Sequence, residues 1–248
     1  QRRGEDNYDL IGTYKDDFLD KRLSLTALLG TNINVQKFYS NSQSTQGGLF
    51  IPGVYSVTNS ATPPPLPSIT DTSKKIYGVF GQASFGWDKT FYVEGTVRND
   101  TSSALPSENR NYWYYSGSFS GVLSNLPGLK DWDALTFAKL RASYAEVGND
   151  LGANQLMNQY GVATPFGTPS YAFNTSAKNP NLKPERTKAK EVGLNMQFFK
   201  NRIGFDVAWF QNDTQDQILA LPVTTSTGNT SKVQNVGNMR SKGFEVAL

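Results

Sequence analysis

From Arg22 to Val35 the side chains sort by parity into two unlike sets. Leu23, Leu25, Ala27, Leu29, Thr31, Ile33 and Val35 alternate with Arg22, Ser24, Thr26, Leu28, Gly30, Asn32 and Asn34. A helical face recurs every 3.6 residues, so this order fits only a strand, whose successive side chains point to opposite faces. At about 3.3 Å per residue such a strand runs for roughly 40 Å with one face in an apolar medium and the other in a wet one. Strands of soluble domains are typically about 5–6 residues long.

The same alternation recurs down the chain. Tyr77, Val79, Gly81, Ala83, Phe85 and Trp87 oppose Gly78, Phe80, Gln82, Ser84 and Gly86, and after a turn at Asp88-Lys89 the set Phe91, Val93, Gly95, Val97 opposes Tyr92, Glu94, Thr96, Arg98. Tyr115 to Leu123, Ala138 to Tyr144, Val192 to Phe198, Ile203 to Trp209 and Phe244 to Leu248 follow suit, with a weaker strand near Tyr8–Tyr14. About nine strands are predicted.

The links between them alternate in length. Short ones fall near Lys15–Lys21, Asp88–Lys89, Asn125–Ala134 and Lys200–Asn201; long ones near Gln36–Lys75, Asp100–Trp113, Val147–Lys188 and Asn212–Lys232. Antiparallel neighbours place alternate links at opposite ends, so one end carries tight turns and the other large loops. That asymmetry belongs to outer-membrane β-barrels. Aromatic residues near strand ends, at Trp87, Phe91, Tyr112 to Tyr115, Tyr144, Phe198 and Trp209, fall where a headgroup girdle would put them. Glu146, Lys190 and Lys242 lie on the apolar parity of their strands and are expected above the apolar band. A soluble β-sandwich or β-rich glycan-binding domain is the alternative architecture, with the long links as insertions.

Composition narrows the chemistry. The 248 residues contain no Cys and no His, which excludes disulfides, Cys- or His-ligated zinc and both Ser-His-Asp and Cys-His catalysis. With 24 Lys+Arg against 21 Asp+Glu the net charge is +3, too small and too dispersed for a nucleic-acid footprint. Charged residues make up 18% of the chain and aromatics 12%, with 22 glycines, a strand-and-turn composition. The mean hydropathy of −0.47 does not exclude a membrane, because in a barrel only alternate residues meet lipid.

Two stretches, Val93-Glu94-Gly95-Thr96-Val97-Arg98-Asn99-Asp100-Thr101-Ser102-Ser103 and Lys139-Leu140-Arg141-Ala142-Ser143-Tyr144-Ala145-Glu146-Val147-Gly148-Asn149, resemble the barrel of the SusC/RagA family. The series continues in the family's order with Asn179-Pro180-Asn181-Leu182-Lys183-Pro184-Glu185, Glu191-Val192-Gly193-Leu194, Asn235-Val236-Gly237 and Lys242-Gly243-Phe244-Glu245. The resemblance is close from Ile76 to Leu248 and only general in style from Gln1 to Val35. It implies a TonB-dependent transporter of the outer membrane, in which a 22-stranded barrel encloses an N-terminal plug. On that reading residues 1–248 are a partial outer-membrane β-barrel domain, and the plug, the TonB-contacting segment and the final strands are expected to lie outside this chain.

The motifs themselves are expected to carry structure. Gly95, Gly148, Gly193 and Gly243 suit close strand packing or turn geometry, the two prolines of Asn179–Glu185 stiffen a loop returning to a strand, and the Pro63–Pro67 run suits a stiff external segment. Substrate-contacting residues cannot be singled out by spacing. The candidates are the charged residues on the inward parity: Glu94, Arg98, Lys139, Arg141, Glu191 and Asp206, which could equally pair with one another or dock a plug. No enzyme activity, cofactor or metal is expected. The function implied by the resemblance is import of a bulky nutrient, an oligosaccharide or oligopeptide. The partners it implies are a SusD-like surface lipoprotein and the TonB complex, with lipid and lipopolysaccharide around the wall and a homodimer of the transporter-lipoprotein pair. Two further functions stay open: a TonB-dependent receptor for an iron chelate or cobalamin, and a soluble β-sandwich hydrolase or lectin. For a glycosidase, Glu94, Glu146, Glu185 and Glu191 offer no evident pair.

Overall fold

The computed structural model describes residues 1–163, 170–172 and 174–248. Among the described residues nine long strands form one antiparallel sheet: β1 (Arg2–Phe18), β2 (Leu23–Ser42), β5 (Ser68–Trp87), β6 (Phe91–Ser102), β7 (Asn111–Val122), β8 (Leu135–Asn149), β12 (Glu185–Phe198), β13 (Ile203–Gln215) and β16 (Met239–Ala247). Their order in the sheet is their order in the chain. Seven short strands among the described residues occupy the long links: β3 (Gln46–Leu49), β4 (Ser60–Thr62), β9 (Gly161–Ala163), β10 (Ser170–Ala172), β11 (Ser176–Ala177), β14 (Ile218–Pro222) and β15 (Ser231–Asn235). The loop expected at Val147–Lys188 includes residues 164–169 and 173, which lie outside the described residues.

The alternation seen in sequence becomes two continuous faces. Across all nine strands Asp16, Leu25, Phe85, Val93, Phe119, Ala142, Val192, Trp209 and Phe244 stand in one row, and Lys15, Thr26, Ser84, Glu94, Ser118, Ser143, Glu191, Phe210 and Gly243 stand in the row beside it on the other face. These rows lie near the turn ends of β1 to β7 but well up β8, β12 and β13, so the sheet is sheared as a barrel wall must be. Much of the apolar face is open: Leu10, Leu29, Val93, Val192 and Phe244 are all exposed. An exposed apolar face of this extent is what a lipid-facing wall presents.

The short links close the sheet's lower end. Leu19, Asp20 and Lys21, then Asp88 and Lys89, then Phe199, Lys200 and Asn201 all take left-handed backbone, which suits the right-handed twist of hairpins. Arg22 grips Asp88 with both arms, at 2.8 and 2.7 Å, tying the first hairpin turn to the second. This guanidinium holds the Asp88 carboxyl below the usual carboxylate range.

The strands outrun their predicted limits, chiefly at the loop end. β1 spans Arg2–Phe18 where only Tyr8–Tyr14 was legible, and β2 continues to Ser42, paired with β5 down to Ser42↔Ser68. Past Val35 polar residues fall on both faces, with Phe38 and Tyr39 on opposite sides, so alternation disappears while the ladder goes on. The alternation of short and long links holds except in the middle of the sheet, where the β6–β7 link (103–110) is shorter than the β7–β8 link (123–134).

Tyr112 and Tyr114 depart from the expected girdle. Trp113 and Tyr115 are exposed on the apolar parity, but their two neighbours turn the other way into a small core at the loop end. There Ala104, Leu105, Tyr112, Leu151, Leu182 and Val233 pack together, with Leu182 wholly buried. Apart from Tyr112 at the start of β7, these residues come from three successive long links. The motif at Asn179–Glu185 supplies the joints: Asn235 accepts from the Lys183 N–H at 2.9 Å and donates to the carbonyls of Lys183 (2.8 Å) and Asp216 (2.9 Å), while Asn109 donates to the Leu182 carbonyl at 3.3 Å. Glu185 accepts from the Ile218 N–H (2.8 Å) and from Asn149 (3.0 Å). At the same level Asp150 takes Lys74 and Ser102, both partners well shielded from solvent. The first long loop stands apart, organised by Asn59, whose amide bonds the Ile51 and Val54 carbonyls at 2.8 Å each, with Phe50 and Tyr55 exposed and Pro63–Pro67 exposed and extended.

Candidate functional site

The polar face is where a cargo could touch this wall, and its chemistry begins with strand geometry. Residues at i and i+2 share a face, and register then brings together side chains far apart in sequence. Arg141 on β8, Glu191 on β12 and Asp206 on β13 meet in this way. The Arg141 guanidinium forks onto Asp206 at 2.8 and 2.8 Å and reaches Glu191 at 3.0 Å; Asn195 adds an amide bond to Asp206 at 2.9 Å. Gly193 stands directly across the ladder from Arg141, and a Cβ there would lie 2.6 Å from the guanidinium carbon. The missing side chain is what lets the arginine lie flat across β12 to its two acids. Each partner keeps about a third or more of its side chain exposed, so the one guanidinium is shared by two carboxylates and the cluster keeps one negative charge in excess, open on the polar face.

A second cluster sits nearer the loops. Arg98 bonds Asp100 at 2.9 Å, lies 5.2 Å over the Phe80 ring, and shares Asp100 with the Tyr114 hydroxyl. Gly78 lies beneath it, where a Cβ would stand 2.5 Å from the Asp100 carboxylate and 2.6 Å from the Arg98 guanidinium and would have to displace them. Glu94 stands between Ser84 and Ser118 in the register, and Lys139 between Val122 and Asn195; neither makes an ion pair among the described residues. All six candidate residues therefore share the polar face. The structure joins Arg141, Glu191 and Asp206, places Arg98 in a separate cluster, and leaves Glu94 and Lys139 as single charges. Asp100 and Asn195 were missed; Asp100 was legible as the i+2 neighbour of Arg98, whereas Asn195 required the register.

The expected glycine roles divide. Gly148 receives the Tyr112 ring, Gly193 the Arg141 guanidinium and Gly243 the Phe210 ring, each within 3.0 Å of where a Cβ would stand, but the nearest atom to Gly95 is at 4.0 Å. Glu146, on the apolar parity, is matched by Arg186 at 3.3 Å and by the Tyr144 hydroxyl.

A wall with one lipid-compatible face, one polar face, and tight turns opposite large loops accounts for the whole length of the chain. All 248 residues match the family model of the TonB dependent receptor-like β-barrel. The chain belongs to that family. It is a barrel segment of the outer membrane, from a family of transporters and receptors, and the soluble β-sandwich alternative is set aside. Among curated relatives it is 26% identical to TonB-dependent receptor P3 of Formosa agariphila over 73% of this chain and 19% of that protein. It is also 26% identical to TonB-dependent receptor SusC of Bacteroides thetaiotaomicron, over 71% of this chain and 18% of that one. Among solved structures, a RagAB peptide importer in its closed-closed state superposes with a TM-score of 0.85 at 25% identity, covering 98% of this chain and 27% of that one. The chain thus spans about a fifth of the curated relatives' length. The family assignment agrees with the SusC/RagA resemblance carried by the sequence motifs.

Proposed function

We propose that the protein imports a bulky nutrient, an oligosaccharide or oligopeptide, across the outer membrane in a TonB-dependent manner, together with a SusD-like surface lipoprotein. The observation that carries this reading is the superposition of nearly the whole chain on the wall of a peptide importer, and the similarity to SusC supports it. Residues 1–248 then form an arc of a larger barrel whose plug and remaining strands lie elsewhere in the protein. No covalent chemistry is asked of this arc. Its polar face lets a hydrated cargo pass, and Arg141 with its two carboxylates, Glu191 and Asp206, offers hydrogen-bond donors and acceptors with one negative charge in excess. Glu94, Arg98 and Lys139 are the further wall residues proposed to meet cargo or plug.

The test is uptake by cells carrying the full-length protein, with labelled oligosaccharides and oligopeptides offered beside a ferric chelate and cobalamin. Entry of the oligomers, abolished when the proton gradient is collapsed, is expected. So is recovery of a surface lipoprotein when the native complex is extracted in mild detergent. Uptake of the chelate or cobalamin alone, by a transporter that purifies without a lipoprotein, would sink the reading.

A further inference from the structure

The outer face of β8, β12, β13 and β16 changes character abruptly toward the long loops. Its last apolar row is Ala142, Val192, Trp209 and Phe244; the next row of the same parity is Tyr144, Lys190, Gln211 and Lys242, and the one above is Glu146, Lys188, Asp213 and Arg240. Both carboxylates in these rows are engaged. Glu146 holds Arg186, and Asp213 holds Arg240 and the amide of Gln211. Lys188, Lys190 and Lys242 have no carboxylate within ion-pair distance among the described residues. The two rows thus carry four basic side chains against two carboxylates, with Glu146 and Asp213 flanking Lys188 in the register, and this net positive crown tops an apolar wall, the backbones of Lys190 and Lys242 about 10 Å apart across two strand spacings and Lys188 about 7 Å above Lys190.

We propose that Lys188, Lys190 and Lys242 bind the phosphorylated headgroup of an outer-leaflet lipid whose acyl chains lie along Val192, Trp209 and Phe244. Four-carbon stems let each ammonium group bend toward a common anion while its methylenes cover the apolar row. Charge complementarity selects a phosphate over a zwitterionic headgroup, and the continuous apolar rows below select a lipid over a free anion. The site faces away from the polar wall, so it is separate from any cargo contact. It rests on the reading that the long loops mark the outer surface of the membrane.

The experiment uses the full-length protein in nanodiscs containing either bisphosphorylated or fully dephosphorylated lipid A, with inorganic phosphate as a separate addition. Retention of the phosphorylated lipid through dilution is the readout, and cargo uptake plays no part in it. Wild type should retain phosphorylated lipid A preferentially, K188Q/K190Q/K242Q should weaken that retention by roughly fivefold per lysine at low salt, and K37Q, on the same face outside the patch, should change nothing. The corresponding Lys→Arg variant should retain lipid as wild type does. Equal retention of both lipids by wild type, undiminished retention by the triple Gln variant, or displacement of the lipid by millimolar inorganic phosphate would overturn the site. Should the triple Gln variant fail to assemble, the two-lipid comparison in wild type and the Arg variant still decide it.

Discussion

Gly193 illustrates how a single missing atom organises charge on this wall. Its Cα leaves the space in which Arg141 lies flat, and a methyl group there would stand 2.6 Å from the guanidinium. Gly193→Ala should push Arg141 off Glu191 and Asp206 and cost about 1 kcal/mol or less, because the displaced guanidinium is the flexible, part-exposed end of its side chain. Urea unfolding of the full-length protein in lipid would measure this, and the same substitution in an Arg141→Ala background should cost far less, the non-additivity reporting the contact. The inward placement of Arg141, Glu191 and Asp206 was legible from parity alone. Their mutual pairing was not, since the bonds join residues 50 and 65 positions apart, and only a strand register can supply that. Asp88 makes a smaller point: with its folded carboxyl held low by Arg22, the two-armed contact should persist as pH falls through the range where a free Asp protonates, and be lost only below it. A carbon-13 titration of the Asp88 carboxyl would check the sign, an ordinary midpoint meaning that the pair is not formed.

At the scale of a strand, the two faces should tolerate opposite changes. Val207 on β13 lies on the apolar parity between Phe205 and Trp209, whereas Ser118 on β7 shares the polar row with Glu94 and Ser143. Val207→Lys should cost about 2–4 kcal/mol if it meets the bilayer midplane, and Ser118→Lys should cost little because it gains Glu94 as a neighbour. Folding yields of the two variants into lipid vesicles compare them directly; equal yields would contradict the assignment of faces. Every long strand was foreseen from this alternation, and its loss explains where the predicted ends fall short. Above Val35 on β2, and below Ile76 on β5, polar residues fall on both faces, so the side chains carry no period although the backbones remain paired to Ser42↔Ser68. Tyr112 was misplaced for a related reason: near the loops a strand residue can serve a local core in place of either face.

For the whole molecule, the division of short and long links sets an orientation that labelling can test. The chain has no cysteine, so within this segment Ser226→Cys in the last long loop and Lys89→Cys in a tight turn each introduce a unique thiol. A membrane-impermeant maleimide applied to intact cells should label the first and spare the second; the reverse result would invert the wall. What the sequence left hidden at this scale is the cohesion of the loops, because residues such as Leu182 and Asn235 follow no periodic pattern. Leu182→Ala should remove about 2–5 kcal/mol of packing from the loop core, raising tryptic cleavage at Arg110 and Lys178 while the wall's melting temperature stays in place. Leu182 draws on three loops at once, and Asn235 is bonded to residues from two of them. These three loops therefore form one unit of inheritance. A chimera that imports a single one of them from a relative inherits half of a joint and should assemble poorly, whereas exchanging the trio, or the self-contained first loop built on Asn59, should leave a working wall.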